Sequence, residues 1–182
     1  MSNYVKAAVA ALAMTAGGAA QADVTIAHVY GKTGPLEAYA EQSHIGLMLG
    51  LEYATDGTME VDGEPITVIE KDTQLDPANA RALLAEAYGD DGAQIAVGPV
   101  SSGVALAMLP VAQEYERILI VEPAVADSIT GEAWNRYIFR TGRNSSQDAI
   151  ANAVALGGED VKVATLAQDY AFGRDGVAAF KE

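Results

Sequence analysis

The chain is organised around Val97-Gly98-Pro99-Val100-Ser101-Ser102-Gly103-Val104-Ala105-Leu106-Ala107-Met108-Leu109-Pro110. The apolar run 94–97 is typical of the end of a buried strand, and apolar residues recur at helical spacing after the serines. We therefore predict a strand, a turn through Gly-Pro and a helix that begins at a serine. The first N–H groups of such a helix lack intrahelical partners, and with the two hydroxyls they suit a carboxylate or another small anion. The alternative is that Ser102 only caps its own helix.

The composition describes an acidic protein with enough apolar residues for a real core. Half of its 182 residues are hydrophobic, and 11 Lys and Arg against 25 Asp and Glu leave a formal charge of −14. This charge disfavours nucleic acid and anionic membranes as partners. The absence of cysteine excludes disulfides, thiolate metal sites and cysteine nucleophiles. His28 and His44 are isolated in the sequence, so we predict no metal site and no cofactor.

The first 22 residues are typical of an export signal. Lys6 supplies the positive start, 7–20 is uncharged and mostly small and apolar, and Ala20-Gln21-Ala22 has the small-x-small form of a cleavage site. We predict cleavage before Asp23 and a mature protein in the periplasm. A +1 cysteine for a lipid anchor is missing from this cut, and the apolar stretch is too short to span a membrane.

Strand and helix patterns alternate along the rest of the chain. Strands are predicted at 23–30, 65–71, 94–97, 118–121 and 161–167, and helices at 41–55, 77–88, from the serines at 101 and 102, and at 149–156 after a cap at Asn144 or Ser145. This alternation predicts an α/β fold with Rossmann-like parallel sheets. Residues 23–141 would form an incomplete N-terminal lobe, and 142–182 would begin a second lobe.

Ligands of such sheets bind beyond the carboxyl ends of the strands. The loops 31–42, 98–102 and 122–127 should therefore open on the same edge. Many enzymes share this architecture, but neither Gly-x-Gly-x-x-Gly, nor a phosphate-binding loop, nor a Gly-x-Ser-x-Gly elbow follows any predicted strand. We expect a binding protein and no catalytic residues.

The order of several short motifs resembles a known family. Gly34-Pro35 with a tyrosine shortly after, 98–102, Pro123, Tyr137-Ile138-Phe139-Arg140-Thr141 and Asp169-Tyr170-Ala171-Phe172-Gly173 look like the leucine/isoleucine/valine-binding family. These are type I periplasmic substrate-binding proteins of ABC importers. The resemblance implies two α/β lobes joined by three crossings, with the ligand between them. It also implies that the chain is truncated, holding part of lobe one and only the start of lobe two.

Ligand contacts follow from the resemblance position by position. Ser102, with Ser101 and Gly103 beside it, falls where a hydroxyl and nearby amides hold the ligand carboxylate. Tyr39 and Tyr170 fall where aromatic rings cover the ligand from the first and second lobes.

The amino end of the implied site matches less well. Ala124 falls where a backbone carbonyl receives the ligand ammonium, but Ala126 stands where the family has a threonine. A lost hydroxyl partner costs about 1–3 kcal/mol. Glu122 either points into the cleft, or it faces solvent or pairs with an arginine such as Arg143.

The sequence thus predicts a solute receptor for an amino acid of the branched-chain type, or for a related small carboxylate or amide. Its partners would be that small molecule and an inner-membrane ABC permease, and the full-length protein would be a monomer. A sensor ectodomain of the same fold is the alternative, followed by an α/β enzyme.

Overall fold

A computed structural model describes residues 23–158 and 160–182. The predicted export signal and its cleavage site lie outside these residues. The elements in chain order are β1 Val24–Tyr30, α1 Glu37–Ala54, β2 Glu60–Val61, β3 Glu64–Asp72, α2 Pro77–Gly89, β4 Ile95–Val97, α3 Ser102–Glu114, β5 Ile118–Val121, a 3₁₀ turn Asp127–Ile129, β6 Ile138–Arg140, α4 Ser145–Leu156 and α5 Ala171–Lys181.

Six strands form one sheet in the order β2-β3-β1-β4-β5-β6. All neighbours are parallel except β2 and β3, which form an antiparallel hairpin. The predicted parallel α/β fold is therefore confirmed. The hairpin was not predicted, although the dipeptide Asp62-Gly63 is a strong sequence signal for a hairpin turn. In the structure both residues have the positive φ that such a turn needs, 54° and 83°.

One face of the sheet is tightly packed by α2 and α3. Alternate residues of β1, Ala27 and Val29, point to this side and are completely buried. Large side chains without solvent exposure interlock with them from the two helices and from β5, namely Leu84, Met108, Leu109 and Leu119. This face is the hydrophobic core of the lobe.

The opposite face carries α1, which packs differently from the prediction. The helix begins at Glu37 rather than Glu41, and Ala40 is its only buried residue. The predicted apolar face, Ile45, Leu47, Met48, Leu51 and Ala54, is not buried: Ile45 and Ala54 are exposed and the other three are half-buried. Leu47 and Leu51 line a cavity of about 570 Å³ instead of contacting the sheet closely.

The segment predicted as a fifth major strand, 161–167, has no regular structure and is exposed. That prediction is wrong, because a strand needs a hydrogen-bonded neighbour and none of the other described segments lies beside this one. The helices on either side, α4 and α5, pack against each other, and α5 also touches α3. The proposed lobe boundary at 141/142 stays a prediction. Within residues 23–158 and 160–182, no helix has the length and apolarity needed to cross a membrane.

Candidate ligand-binding cleft

The loops after β1, β4 and β5 lie at one edge of the sheet, as expected from parallel strands. Since β3 and β4 flank β1 on opposite sides, the crevice falls at the switch point of the strand order. A cavity of about 270 Å³, here called the cleft, opens between this edge and the start of α5. Its lining residues are Leu36, Tyr39, Val100, Ser102, Pro123, Val125, Arg143, Gln168, Tyr170 and Phe172.

Ser102 does not cap α3, so the alternative considered for it is wrong. Ser101 occupies the N-cap position, and its side chain makes no capping hydrogen bond. Ser102 is the first helical residue and is buried, and its Oγ accepts a hydrogen bond of 3.2 Å from the backbone N–H of Ala126. Because the oxygen is held in this way, the hydroxyl proton remains available to donate to a ligand.

Gly98 sets how closely the β4 loop approaches β1. Its φ is +122°, and a Cβ at this position would lie 2.2 Å from the carbonyl oxygen of Val29. Any other residue would push the loop away from the edge of the sheet. The glycine therefore helps to bring the N-terminus of α3 to the switch point.

The loop that follows β5 is fixed by hydrogen bonds from the side chain of Arg140. The Ala126 carbonyl accepts a hydrogen bond of 2.8 Å from Nη1 of Arg140, whose Nη2 bonds to the Thr130 hydroxyl. Burial lowers the pKa of Arg140, and the carboxylate of Asp127 opposes this shift. A fixed positive charge thus stands next to the loop in which the resemblance places a ligand ammonium.

Aromatic rings form the walls of the cleft. Tyr39 comes from the first turn of α1, and Tyr170 and Phe172 come from the start of α5, with their ring centres 5.9 Å apart. Tyr39 is largely exposed, whereas Tyr170 is half-buried and its burial raises the pKa of the phenol. These rings offer flat apolar contacts to a ligand from both predicted lobes.

Ser101 and Gly103 line a neighbouring cavity of about 490 Å³ that also touches Tyr170. Ala124 and Ala126 are almost fully buried and do not line the cleft, although the Ala126 N–H reaches Ser102. Of the predicted ligand contacts, the structure thus brings Ser102, Tyr39 and Tyr170 together in the cleft.

Glu122 points away from the cleft and lines the larger cavity under α1. Its Oε2 accepts a hydrogen bond of 2.6 Å from Thr141 Oγ1, which ties the loop after β5 to the end of β6. It does not pair with Arg143, whose Nε bonds to both oxygens of Asp148 at 2.7 and 2.8 Å. The side chain of Glu122 therefore holds the crossing segment together.

Seven of the ten residues that line the cleft were not predicted as ligand contacts, and three of these are polar or aromatic: Arg143, Gln168 and Phe172. Gln168 and Phe172 stand close to Tyr170 in the sequence, and this closeness, not the strand predicted before them, was the usable signal. Arg143 was considered only as a partner for Glu122. Its Nη groups have no hydrogen-bond partner within the described part of the chain, which leaves them free to meet an anionic or polar ligand group.

His28 and His44 are not isolated, contrary to the expectation from sequence. β1 and α1 bring their Nδ1 atoms to 3.1 Å, and the two imidazole planes are 12° from parallel. No third acidic or histidine ligand completes a metal cluster here or elsewhere in 23–158 and 160–182. The pair lies on the α1 face of the sheet, outside the lining of the cleft.

The parallel sheet with a cleft at its switch point is the architecture of a lobe of the periplasmic receptor type. A family profile described as periplasmic binding protein matches residues 23–182, and the chain belongs to this family. It is 28% identical over 163 residues to the Leu/Ile/Val-binding protein BraC3 of Rhizobium johnstonii. The matched region covers 89% of this chain and 44% of that protein. The chain thus spans less than half the length of the curated relatives it matches, and the resemblance stated from the motifs is confirmed.

Solved structures give the same picture. An ABC-type branched-chain amino acid transporter from Rhodopseudomonas palustris CGA009 matches with a TM-score of 0.77 and 72% identity, over 87% of this chain and 43% of that one. A solute-binding protein of an ABC transporter from R. palustris BisB5, in complex with 3,4-dihydroxybenzoic acid, matches with a TM-score of 0.76 and 31% identity over the same shares. Both structures are described as belonging to ABC transporters, and the second is described as a solute-binding protein.

Proposed function

We propose that the chain forms part of a periplasmic solute receptor for an ABC importer, and that it captures a small carboxylate in the cleft. The ligand would be a branched-chain amino acid or a related small carboxylate or amide. Closure of the second lobe over the first would produce the form presented to an inner-membrane permease. The observation that carries the proposal is the Ser102 hydroxyl, buried at the start of α3 with its proton left to donate into the cleft.

The preference for a ligand with a carboxylate follows from the electrostatics at the N-terminus of α3. The first N–H groups of α3 carry partial positive charge, and Ser102 adds a hydroxyl donor. Arg143 is the only charged side chain that lines the described part of the cleft, and it is positive. An anion is therefore favoured over a neutral solute of the same size.

A second candidate is an aromatic acid without an ammonium group, and the loop after β5 favours it. Ala126 offers no hydroxyl, its carbonyl is already bonded to the Arg140 guanidinium, and no acidic side chain lines the described part of the cleft. An ammonium at this loop would meet a like charge. A benzoate-like ring would instead lie between Tyr39 and Tyr170, which agrees with the dihydroxybenzoate bound by the relative from R. palustris BisB5.

Thermal unfolding of the complete gene product against a ligand panel tests both candidates. The panel contains leucine, isoleucine, valine, phenylalanine, 4-methylpentanoate, benzoate and 3,4-dihydroxybenzoate. A ligand at 100 times its Kd adds about 2.7 kcal/mol and should raise the Tm by several degrees. A shift with amino acids but not with 4-methylpentanoate supports an amino acid as the ligand, and a shift with 4-methylpentanoate alone supports a related small carboxylate. A shift only with the two benzoates supports the second candidate, and no shift contradicts the proposal.

Arg143→Gln provides a matched variant, because glutamine keeps a hydrogen-bonding side chain and removes the charge. If an aromatic acid directs a polar group to Arg143, the Kd should rise by about tenfold, the effect of losing a charge-assisted hydrogen bond. An unchanged Kd would place the ligand away from this side of the cleft.

Export to the periplasm fits the family to which the chain belongs. We further propose that residues 1–22 are removed during export. Mass determination of the protein from a periplasmic extract should give a mature form that begins at Asp23, and a mature form that retains these residues would contradict the proposed cleavage.

A further inference from the structure

Helix α1 is tied to the sheet by one side-chain hydrogen bond. Within residues 23–158 and 160–182, the His28–His44 contact is the only hydrogen bond or ion pair between an α1 side chain and another secondary-structure element. Over much of its length α1 faces the 570 Å³ cavity rather than packed side chains. A change at this contact therefore acts on the attachment of the whole helix.

The geometry of the pair requires one proton between the two rings. The Nδ1 atoms are 3.1 Å apart and the ring centres 5.3 Å apart, so one Nδ1 donates and the other must keep its lone pair. Tyr30 stacks on His28 with ring centres 3.8 Å apart and holds the buried ring in place. If both nitrogens carried protons, they would repel each other.

The buried side of His28 favours one arrangement of that proton. His28 is fully buried, and its Nε2 is the only buried side-chain N or O atom in the described part of the chain without a hydrogen-bond partner. A proton on Nε2 would bury an unpaired N–H, which is costly. The proton therefore sits on Nδ1 of His28, and Nδ1 of the half-buried His44 accepts it.

We propose that the His28–His44 pair is a proton-controlled clamp, which holds α1 and its residue Tyr39 against the sheet at neutral pH and releases them when the pair takes up a proton. A proton on Nδ1 of His44 removes the acceptor. The bond can then survive only if His28 moves its own proton to Nε2, where nothing accepts it. Tyr39 forms one wall of the cleft, so the clamp links the pH of the surroundings to the shape of the ligand site.

The charges around the pair act on the same equilibrium. From β3, Glu70 faces the rings, bonded to the hydroxyl of Tyr30 and at 2.9 Å to Nζ of Lys32. Asp72 lies further along β3 beside Tyr30, and β4 contributes only the apolar Val97 next to His28. Burial lowers the pKa of His28 to about 4, the positive charge of His44 adds to this shift, and Glu70 opposes it.

The test uses the ligand-free complete gene product and amide hydrogen exchange, with rates corrected for the intrinsic effect of pH. Protection of the α1 amides should fall by at least about tenfold between pH 7.5 and pH 5, because the released state binds a proton that the clamped state excludes. Helix α2 packs on the other face of the sheet without a histidine contact, and its protection should stay constant. The NMR signal of His28, one of the two histidines among the 182 residues, should change over the same pH range as the protection of α1.

The matched variant is His44→Asn, which can keep a hydrogen bond at the position of Nδ1 but does not titrate. It should make the protection of α1 independent of pH over this range, while His44→Leu should lower it at pH 7.5. Constant protection of α1 in the unmodified protein, or the same pH dependence in His44→Asn, would overturn the proposal. Loss of protection on adding EDTA at pH 7.5 would also overturn it, because a metal ion would then hold the pair. None of these outcomes depends on which solute the cleft binds.

Discussion

The two faces of the sheet are held in different ways. On the face of α2 and α3, fully buried side chains such as Leu84 and Leu109 fill the space between helix and strand. On the face of α1, one buried alanine and a histidine pair make the connection beside a large cavity. Close packing resists small movements, whereas a single hydrogen bond can break and reform at little cost. The helix on the second face, which carries Tyr39, is therefore attached less firmly than α2 and α3.

Core truncation on the packed face should have the largest effect. Leu84→Ala is expected to lower the free energy of unfolding by about 2–5 kcal/mol, because the cavity it leaves cannot collapse between α2 and the sheet. Leu49→Ala on α1 should cost less than about 0.5 kcal/mol, since this leucine is 59% exposed. Urea unfolding of the complete gene product measures both values. A loss above about 2 kcal/mol for Leu49→Ala would show that another part of the protein covers this face.

The pH dependence of stability should come next in size. The pKa of His28 falls from 6.5 to about 4 on folding, so the folded state excludes a proton that the unfolded state binds. This contribution is complete above pH 6.5 and is lost as the pH falls towards 4, by roughly 3 kcal/mol in total. Urea midpoints between pH 7.5 and 4.5 measure it. His28→Gln should flatten this part of the profile, and an equally steep profile in the variant would assign the loss to other groups.

Removal of the Ser102 hydroxyl should weaken ligand binding by about tenfold to a hundredfold, the effect of losing one hydrogen bond to a carboxylate. The measurement is the Kd, by calorimetry, of whichever panel compound raises the Tm. Ser101→Ala is the matched control, because the Ser101 side chain makes no capping hydrogen bond and does not line the cleft. Equal losses of affinity in the two variants would indicate that the ligand carboxylate lies nearer the neighbouring cavity.

The smallest effect is expected at the start of α2. The Asp76 side chain accepts a hydrogen bond of 2.6 Å from the Asn79 N–H, and Asp76→Ala should cost about 1 kcal/mol. Asp76→Asn retains an acceptor oxygen and should stay within a few tenths of the original stability, as measured by the urea midpoint. A loss of the same size in both variants would mean that charge, rather than the hydrogen bond, stabilises the helix start.

Most strands were predictable because their signals are local. Ile118–Val121 was found with its observed bounds, since an unbroken run of branched apolar residues is typical of a strand. It is not covered on both faces as expected, because Ile118 is exposed and Ile120 is half-buried. Asp76-Pro77 correctly predicted the start of α2. The run 161–167 is also rich in apolar and β-branched residues, and it forms no strand, because pairing depends on a neighbour and not on the segment alone.

The cleft was predictable in part for a similar reason. Parallel strands present their carboxyl ends at one edge, so the positions of Ser102 and Tyr39 follow from the order of elements. The position of Tyr170, which follows no strand of the sheet directly, was implied only by the family resemblance. The direction of Glu122 does not follow, because two cavities open near the end of β5 and a hydrogen bond to Thr141 turns the carboxylate into the larger one.

Composition, periodicity and motif order were enough to establish an acidic α/β lobe of the periplasmic binding family and to predict an anion-binding corner at the start of α3. These features depend on residues close together in the chain, or on a hydrophobic periodicity that does not depend on how the elements pack. The meeting of His28 and His44, the cavity under α1 and the role of Arg140 behind the Ala126 loop came from the packing of distant segments. His28 and His44 are 16 residues apart on different elements, and their contact depends on how α1 crosses β1, which no local pattern encodes.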